Sequence, residues 1–192
     1  MNEKRWLGLI FGLYLIFALA YSVLMPPWEA PDEVAHYVLA VNLARIGVFS
    51  SPERNYEGGQ PQTYYRMMSL PLKWLFDQER DWIAAIRPEA NYGNVGTPVP
   101  VFSWSDGNYR FLPGLYLLRW LNILLGVAAL GFSYAAAKGF AGEGQIPLAA
   151  LTLAALTPQF LHTSSSVAND MLGVLAGSLL FWLASRAVLQ RA

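Results

Sequence analysis

The feature that most constrains this chain is an uncharged apolar run of about 20 residues near its N-terminus. The run covers residues 6–25, follows Lys4 and Arg5, and ends at a Pro-Pro-Trp sequence. An α-helix of about 20 apolar residues is long enough to cross the hydrocarbon core of a bilayer. A cleaved secretory signal is the alternative, but its apolar core is shorter and precedes a small-residue cleavage site. The run therefore predicts a membrane span.

Three further apolar runs cover residues 112–137, 146–162 and 167–187. The whole chain is 55% hydrophobic and only 14% charged, whereas a soluble domain has roughly a quarter of its residues charged. We therefore expect an all-α polytopic transmembrane helix bundle with four spans, forming a single membrane domain over residues 1–192. The chain has no cysteine, which excludes disulfides and thiolate chemistry, and its zero formal net charge argues against a nucleic-acid partner.

Basic residues near the ends of the runs predict the orientation of the chain. With the N-terminus inside the cell, the inner segments contain five basic and two acidic residues: Lys4, Arg5, Lys138, Arg186 and Arg191 against Glu3 and Glu143. Cytoplasmic segments of membrane proteins have an excess of lysine and arginine. Both termini are therefore expected in the cytoplasm, and the large loop of residues 26–111 is expected on the periplasmic or extracellular side.

The large loop begins with a helix-start signal. Pro31 precedes Asp32 and Glu33, and proline suits the first turn of a helix while carboxylates suit its positive end. Apolar residues then recur at helical spacing, which predicts a helix over 32–46 that lies on the membrane surface. Asp32 and His36 share one face of this helix, where a carboxylate suits a general base or a metal ligand. Alternatively, the two acids only cap the helix and His36 pairs with Asp32.

A second stretch of the loop, residues 63–76, is apolar but contains two basic residues and a proline. It is too short and too charged for a span, so it predicts an interfacial or re-entrant helix with Tyr64 and Tyr65 at headgroup depth. Residues 77–108 are polar and rich in glycine, proline and asparagine, and we expect them to be irregular.

Two ionisable residues, Arg119 and Asp170, fall at the predicted outer mouth of the bundle. Such residues are costly there unless they are paired, solvated or functional. Arg119 has the alternative of extending to the interface, and Asp170 that of capping the fourth helix. We expect both to converge with Asp32 and His36 on one cavity at the outer leaflet.

Five short motifs follow one another along nearly the whole chain. They are Pro31-Asp32-Glu33-x-x-His36, Gln60-Pro61-x-x-Tyr64-Tyr65, Tyr116-Leu117-Leu118-Arg119, Pro158-Gln159-Phe160 and Ser166-Val167-Ala168-Asn169-Asp170. In this order they resemble the GT-C superfamily of polytopic membrane glycosyltransferases, and most of all an uncharacterised bacterial branch of predicted membrane proteins. GT-C enzymes are generally much longer, so the chain looks like the N-terminal part of one, with a shortened relative as the alternative.

The resemblance implies a glycosyltransferase that takes a sugar from a polyprenyl-phosphate donor at the outer face of the bacterial inner membrane. It implies that Asp32 is the catalytic base and that Glu33 and His36 support it. The identity of any cofactor stays open. A divalent metal ion is one candidate, with Asp32 and Asp170 as its possible ligands.

The resemblance also implies the residues that bind substrate. Arg119 would hold the donor phosphate, because a fixed cation aids both binding and stabilisation of the leaving group. Asp170 would orient the acceptor or a metal, and three aromatic residues, Trp28, Tyr64 and Tyr65, would stack on sugar or lipid. The expected partners are membrane lipid and the polyprenyl-phosphate-linked sugar.

Two alternatives to a transferase remain open. In the first, the chain is a non-catalytic transmembrane subunit of a larger membrane complex, which contacts a partner helix through Gly8/Gly12 or Gly173/Gly177. Pairs of small residues spaced four apart allow close helix approach. In the second, the chain is a small transporter or channel, for which the predicted spans contain few polar residues.

Overall fold

Seven helices make up the described part of the chain. The computed structural model describes residues 3–47, 60–75 and 112–189, and within these ranges every regular element is an α-helix. The helices are α1 (Glu3–Leu24), α2 (Glu33–Ile46), α3 (Gln62–Leu75), α4 (Leu112–Ala141), α5 (Gln145–Ala155), α6 (Pro158–Ser164) and α7 (Asp170–Leu189). The all-α expectation is confirmed. The stretch 77–108 and Arg191, which entered the predictions above, lie outside the described residues.

Three of the helices, α1, α4 and α7, are long and apolar enough to cross a membrane. They correspond to the first, second and fourth apolar runs, and they identify the chain as a membrane protein. The third run, 146–162, forms the two shorter helices α5 and α6 instead of one continuous span. Pro158 explains the interruption, because proline lacks an N–H and clashes with the preceding helical turn, whereas it is favoured as the first residue of a new helix.

The chain divides into two compact units, and the single membrane domain over residues 1–192 stays a prediction. Unit 1 comprises Met1–Val23 and Arg119–Ala192, and unit 2 comprises Leu24–Leu118. The large loop and the first two turns of α4 thus form a unit of their own.

Unit 1 is a helix bundle whose core surrounds the middle of α1. The buried core residues are Ile10, Tyr14, Ala18, Ile123, Leu130, Leu151, Ala155 and Leu161. The hydroxyl of Tyr14 donates a 3.3 Å hydrogen bond to the carbonyl oxygen of Ile123. A Cβ atom at Gly126 would overlap that hydroxyl, so glycine at this position is what allows α1 and α4 to approach closely.

Side-chain contacts give the directions of the helices in unit 1. A 2.9 Å ion pair joins Glu3, at the start of α1, to Lys138, near the end of α4, so these two helices are antiparallel. A 3.1 Å hydrogen bond joins Ser133, in the second half of α4, to Ser178, near the middle of α7. Because Asn122 also contacts the residues just before α7, α4 and α7 run in the same direction. The pair α5–α6 therefore brings the chain back across the bundle.

Unit 2 is built on the packing of α2 against α3. Nearly every side chain of α2 between Glu33 and Leu43 is buried. The polar side chains of Glu33 and His36 form hydrogen bonds with Trp28 and Tyr65 inside the unit. The expected position of α2 on the membrane surface stays a prediction. The helix ends at Gly47, whose φ of 68° is a left-handed conformation that favours glycine.

The helix α3 has two distinct faces. One face is buried and consists of Tyr64, Tyr65, Met68, Ser69 and Leu72. The opposite face exposes Leu70 and Trp74, which lie one turn apart and are 63% and 87% exposed. Arg66 and Lys73 are also exposed on this helix. The two tyrosines thus face the interior of unit 2.

Candidate functional site

The segment between α1 and α2 folds back on itself through the buried carboxylate of Glu33. One oxygen of this carboxylate accepts a 3.0 Å hydrogen bond from the backbone N–H of Trp28. Trp28 has a φ of 63°, which is rare for a bulky residue. Its ring packs against that of Tyr37 at 6.2 Å. Glu33 therefore holds a backbone conformation that the sequence does not otherwise favour.

Asp32 lies at the N-cap position of α2 but does not act as a capping residue. Its φ of 57° is left-handed, whereas N-cap residues ordinarily have extended backbone, and its side chain makes no capping hydrogen bond. Only its carbonyl oxygen takes part in the first turn, by accepting the N–H of His36 at 3.0 Å. The carboxylate is exposed. Asp32 is thus held in a strained conformation with an accessible acid group.

His36 is paired with α3. Its Nδ1 shares a 2.8 Å hydrogen bond with the hydroxyl of Tyr65, and the two rings stack at 5.8 Å. The ring of Tyr64 meets that of Tyr65 edge-on at 5.4 Å. The alternative in which the acids only cap α2 and His36 pairs with Asp32 is therefore not the arrangement observed.

The three aromatic residues expected to stack on sugar or lipid are all buried. Trp28, Tyr64 and Tyr65 are no more than 2% exposed, so none of them offers a ring face to a ligand in this structure. Their observed role is to pack around His36 and Tyr37. The same burial raises the pKa of the Tyr37 hydroxyl well above its usual range, so this group is neutral at physiological pH.

In unit 1, Arg119 is fully buried and binds the end of α1. Its Nη1 donates a 2.6 Å hydrogen bond to the carbonyl oxygen of Ser22. Ser22 lies in the last turn of α1, where carbonyl groups have no partner within the helix. A cation at that end also interacts favourably with the helix dipole. Arg119 thus caps α1, instead of extending to the interface as one expectation had it.

Polar residues that were not predicted extend this arrangement. The amide nitrogen of Asn122 donates to the carbonyl oxygens of Ser166 and Ala168, at 2.5 and 3.0 Å, and so fixes the connection between α6 and α7. The hydroxyl of Ser165 donates to the carbonyl oxygen of Ala18 at 2.9 Å. The only sequence signal for Asn122 was a lone polar residue in an apolar run.

Asp170 begins α7 and its side chain is exposed. It belongs to unit 1 together with Arg119, whereas Asp32 and His36 belong to unit 2. The expected convergence of these residues on one cavity therefore stays a prediction. So does a metal ion held by Asp32 and Asp170, and within the described ranges no three histidine or acidic side chains come together as a ligand set.

Glu33 and Asp32 are thus adjacent acids with different environments. The carboxylate of Glu33 is buried and hydrogen-bonded, whereas that of Asp32 is exposed on a strained backbone.

Comparison with protein-family models, with curated proteins and with solved structures gives no significant match for this chain, so its family stays a prediction from the five sequence motifs.

Proposed function

We propose that the chain is a membrane glycosyltransferase of the GT-C type, or the N-terminal module of one. It transfers a sugar from a polyprenyl-phosphate donor to an acceptor at the outer face of the bacterial inner membrane. An acceptor hydroxyl attacks the anomeric carbon while Asp32 removes its proton. The bond from that carbon to the phosphate oxygen breaks, and the polyprenyl phosphate leaves with the electron pair.

The environment of Asp32 is the observation that carries this proposal. A structural N-cap aspartate uses its carboxylate on the backbone N–H groups of the first turn, and Asp32 does not. Strained conformations of this kind persist when the surrounding structure holds them, and they are concentrated at functional sites. Here Glu33 fixes the residues before Asp32, and the pair of His36 and Tyr65 fixes the turn after it.

In this proposal Arg119 binds the donor phosphate and Asp170 orients the acceptor. Arg119 donates a hydrogen bond to the last turn of α1, so a phosphate reaches its guanidinium only where that turn opens. Asp170 is already exposed at the start of α7. The large loop is periplasmic and both termini are cytoplasmic, in agreement with the excess of basic residues on the opposite side.

The test is a transfer assay in proteoliposomes that contain the full chain. The donors are polyprenyl phosphates with different radiolabelled hexoses, and the measured quantity is labelled sugar released to water or to added glycolipid acceptors. We expect turnover of at least one donor, and we expect Asp32→Asn to lower its rate by about 10²- to 10⁴-fold, the usual contribution of a general base.

The matched control is Glu29→Gln, which neutralises a second exposed acid three residues before Asp32. This variant is expected to retain the wild-type rate. The proposal fails if the wild-type chain turns over none of the donors, or if Asp32→Asn and Glu29→Gln have equal effects.

The burial of Arg119 favours a second candidate function. A cation that caps a helix and lies at 0% exposure is as expected for a non-catalytic transmembrane subunit. The glycines at 8, 12, 173 and 177 have nothing within 4 Å of a Cβ atom built on them, so these helix faces are open to a partner helix. A chain inactive on every donor, whose stability depends on Arg119, would support this alternative.

A further inference from the structure

The exposed face of α3 has two edges of different chemistry. Arg66 and Lys73 are exposed and lie seven positions apart, which is close to two helical turns, so their side chains follow one line along the helix. Leu70 and Trp74 follow the neighbouring line, one turn apart, and are 63% and 87% exposed. The helix thus presents a basic edge, Arg66 and Lys73, beside an apolar edge, Leu70 and Trp74.

The basic edge keeps its positive charge in the described part of the chain. The helix α3 contains no acidic residue, and within residues 3–47, 60–75 and 112–189 neither cation is paired with a carboxylate. Nε and Nη2 of Arg66 donate hydrogen bonds of 3.3 and 2.9 Å to the side-chain oxygen of Gln62. This uncharged acceptor directs the guanidinium along the helix without neutralising it, so the edge is complementary to an anionic surface.

The helix fits the headgroup layer of a bilayer better than its hydrocarbon core. Its 14 residues extend about 21 Å, which is less than the core thickness of about 30 Å. Pro71 lies inside α3 and has no N–H, so it cannot donate the usual helical hydrogen bond to the carbonyl oxygen of Met67. Water can satisfy such a carbonyl among headgroups but not among acyl chains. Unit 2 is also joined to the candidate spans α1 and α4, so the chain itself ties α3 to a membrane.

We propose that the basic edge of α3 binds the phosphates of anionic membrane lipids while the apolar edge reaches the boundary of the acyl chains. Opposite charge attracts both cations to an anionic surface, and exposed leucine and tryptophan favour that boundary. Arg66 and Lys73 are about 10 Å apart along the helix axis, so each contacts a different headgroup. Tyr64 and Tyr65, which were expected at headgroup depth, are buried, so the contact uses another face of α3 and selects lipids by their charge. This proposal does not depend on the proposed activity.

The absence of native cysteine allows a fluorophore to be attached at Leu70→Cys in the full chain. The labelled protein is reconstituted in phosphatidylcholine vesicles with a minor fraction of either phosphatidylglycerol or phosphatidylcholine that carries a nitroxide on its acyl chain. The measured quantity is the ratio of quenching by the anionic lipid to quenching by the zwitterionic lipid. At low salt we expect a ratio well above one. At 1 M salt we expect a ratio close to one, because the screening length falls to about 3 Å.

The contribution of each cation is measured by removing its charge. Arg66→Gln and Lys73→Gln are each expected to lower the ratio by about 2- to 5-fold, whereas Arg66→Lys and Lys73→Arg keep it. Both residues are exposed, so the glutamine variants are expected to keep their helix content by circular dichroism. The matched control is the same fluorophore at Ile16→Cys, near the middle of α1 and 64% exposed, where the glutamine variants are expected to leave the ratio unchanged.

Three outcomes would overturn the proposal. The first is a quenching ratio near one at low salt for the label at position 70 with both cations present. The second is a ratio that neither Arg66→Gln nor Lys73→Gln lowers. The third is a label at position 70 that is quenched neither by the nitroxide lipids nor by aqueous iodide, which would show that protein covers this face.

Discussion

At the scale of single residues, the adjacent acids Asp32 and Glu33 show how one sequence signal produces two different environments. Both follow Pro31, and a helix start is the expectation for both. The Glu33 side chain points inward and accepts the N–H of Trp28, whereas that of Asp32 stays exposed. The backbone is left-handed at both Trp28 and Asp32.

This contrast predicts unequal effects of the two acids on stability. Glu33→Ala leaves the buried N–H of Trp28 without its acceptor, which should cost about 1–3 kcal/mol of unfolding free energy. Asp32→Asn should change stability by no more than about 0.5 kcal/mol, because it removes no observed contact and asparagine tolerates left-handed backbone. Thermal unfolding in detergent, followed by circular dichroism, measures both values.

Asp32→Gly is the control for backbone strain at this position. Glycine adopts positive φ without a steric penalty, so this variant should be at least as stable as the wild type. Equal destabilisation by Glu33→Ala and Asp32→Asn would contradict the assignment of the two acids. Unchanged stability in Asp32→Asn also allows a loss of transfer activity in that variant to be attributed to chemistry.

Much of this residue-level detail could not be predicted from the sequence. Asp32 could be singled out because an acid after a proline is a local sequence pattern that predicts the start of a helix. The pair of His36 and Tyr65 joins residues 29 positions apart, so it depends on how α2 packs against α3. Positive φ at Trp28 had no signal either, because glycine or asparagine usually marks such positions.

At the scale of helices, the exposed face of α3 predicts contact with the membrane surface. Leu70 and Trp74 are apolar and exposed, and exposed Arg66 and Lys73 suit anionic headgroups. Unit 2 is also joined to the candidate spans α1 and α4 at its two ends. We expect α3 to lie in the interface with Trp74 at the boundary of the acyl chains, as tryptophan prefers.

Nitroxide labels on single cysteines measure this depth. Labels at Leu70→Cys and Trp74→Cys should collide more with oxygen than with a water-soluble nickel complex. Thr63→Cys is the control, since this residue is exposed at the start of the same helix and its label should prefer the nickel complex. Aqueous behaviour at both 70 and 74 would show that this face of α3 contacts water.

The positions of the long apolar helices could largely be predicted from the sequence, with one exception. Apolar runs of about 20 residues indicate spans because of their length, and α1, α4 and α7 agree with them. The run 146–162 also looked continuous, because Pro158 lies near its far end and the residues around the proline are compatible with a helix. Only the observed break shows that the proline begins a second helix there.

At the scale of the whole molecule, the antiparallel and parallel contacts of unit 1 put the start of α1 and the end of α4 at one face of the bundle. The excess of basic residues predicts that this face is cytoplasmic. We expect Ala141→Cys, in the exposed end of α4, to react with a membrane-impermeant maleimide only from the cytoplasmic side.

Thr63→Cys gives the opposite expectation, because α3 belongs to the predicted periplasmic loop. It should react in intact cells, whereas Ala141→Cys should react only in inverted vesicles. Labelling of both residues from the same side would contradict the predicted topology. Reversed labelling would place the large loop, and with it Asp32, in the cytoplasm, where the proposed outer-face transfer is excluded.

The capping of α1 by Arg119 has a consequence for the biosynthesis of the protein. The two bonded residues are 97 positions apart, and the whole of unit 2 is encoded between them. At roughly 5–20 residues per second of translation, the last turn of α1 leaves the ribosome about 5–20 s before its guanidinium partner. During that interval the last turn of α1 lacks the Arg119 side chain that caps it. The insertion machinery or a chaperone therefore has a period in which to hold this helix.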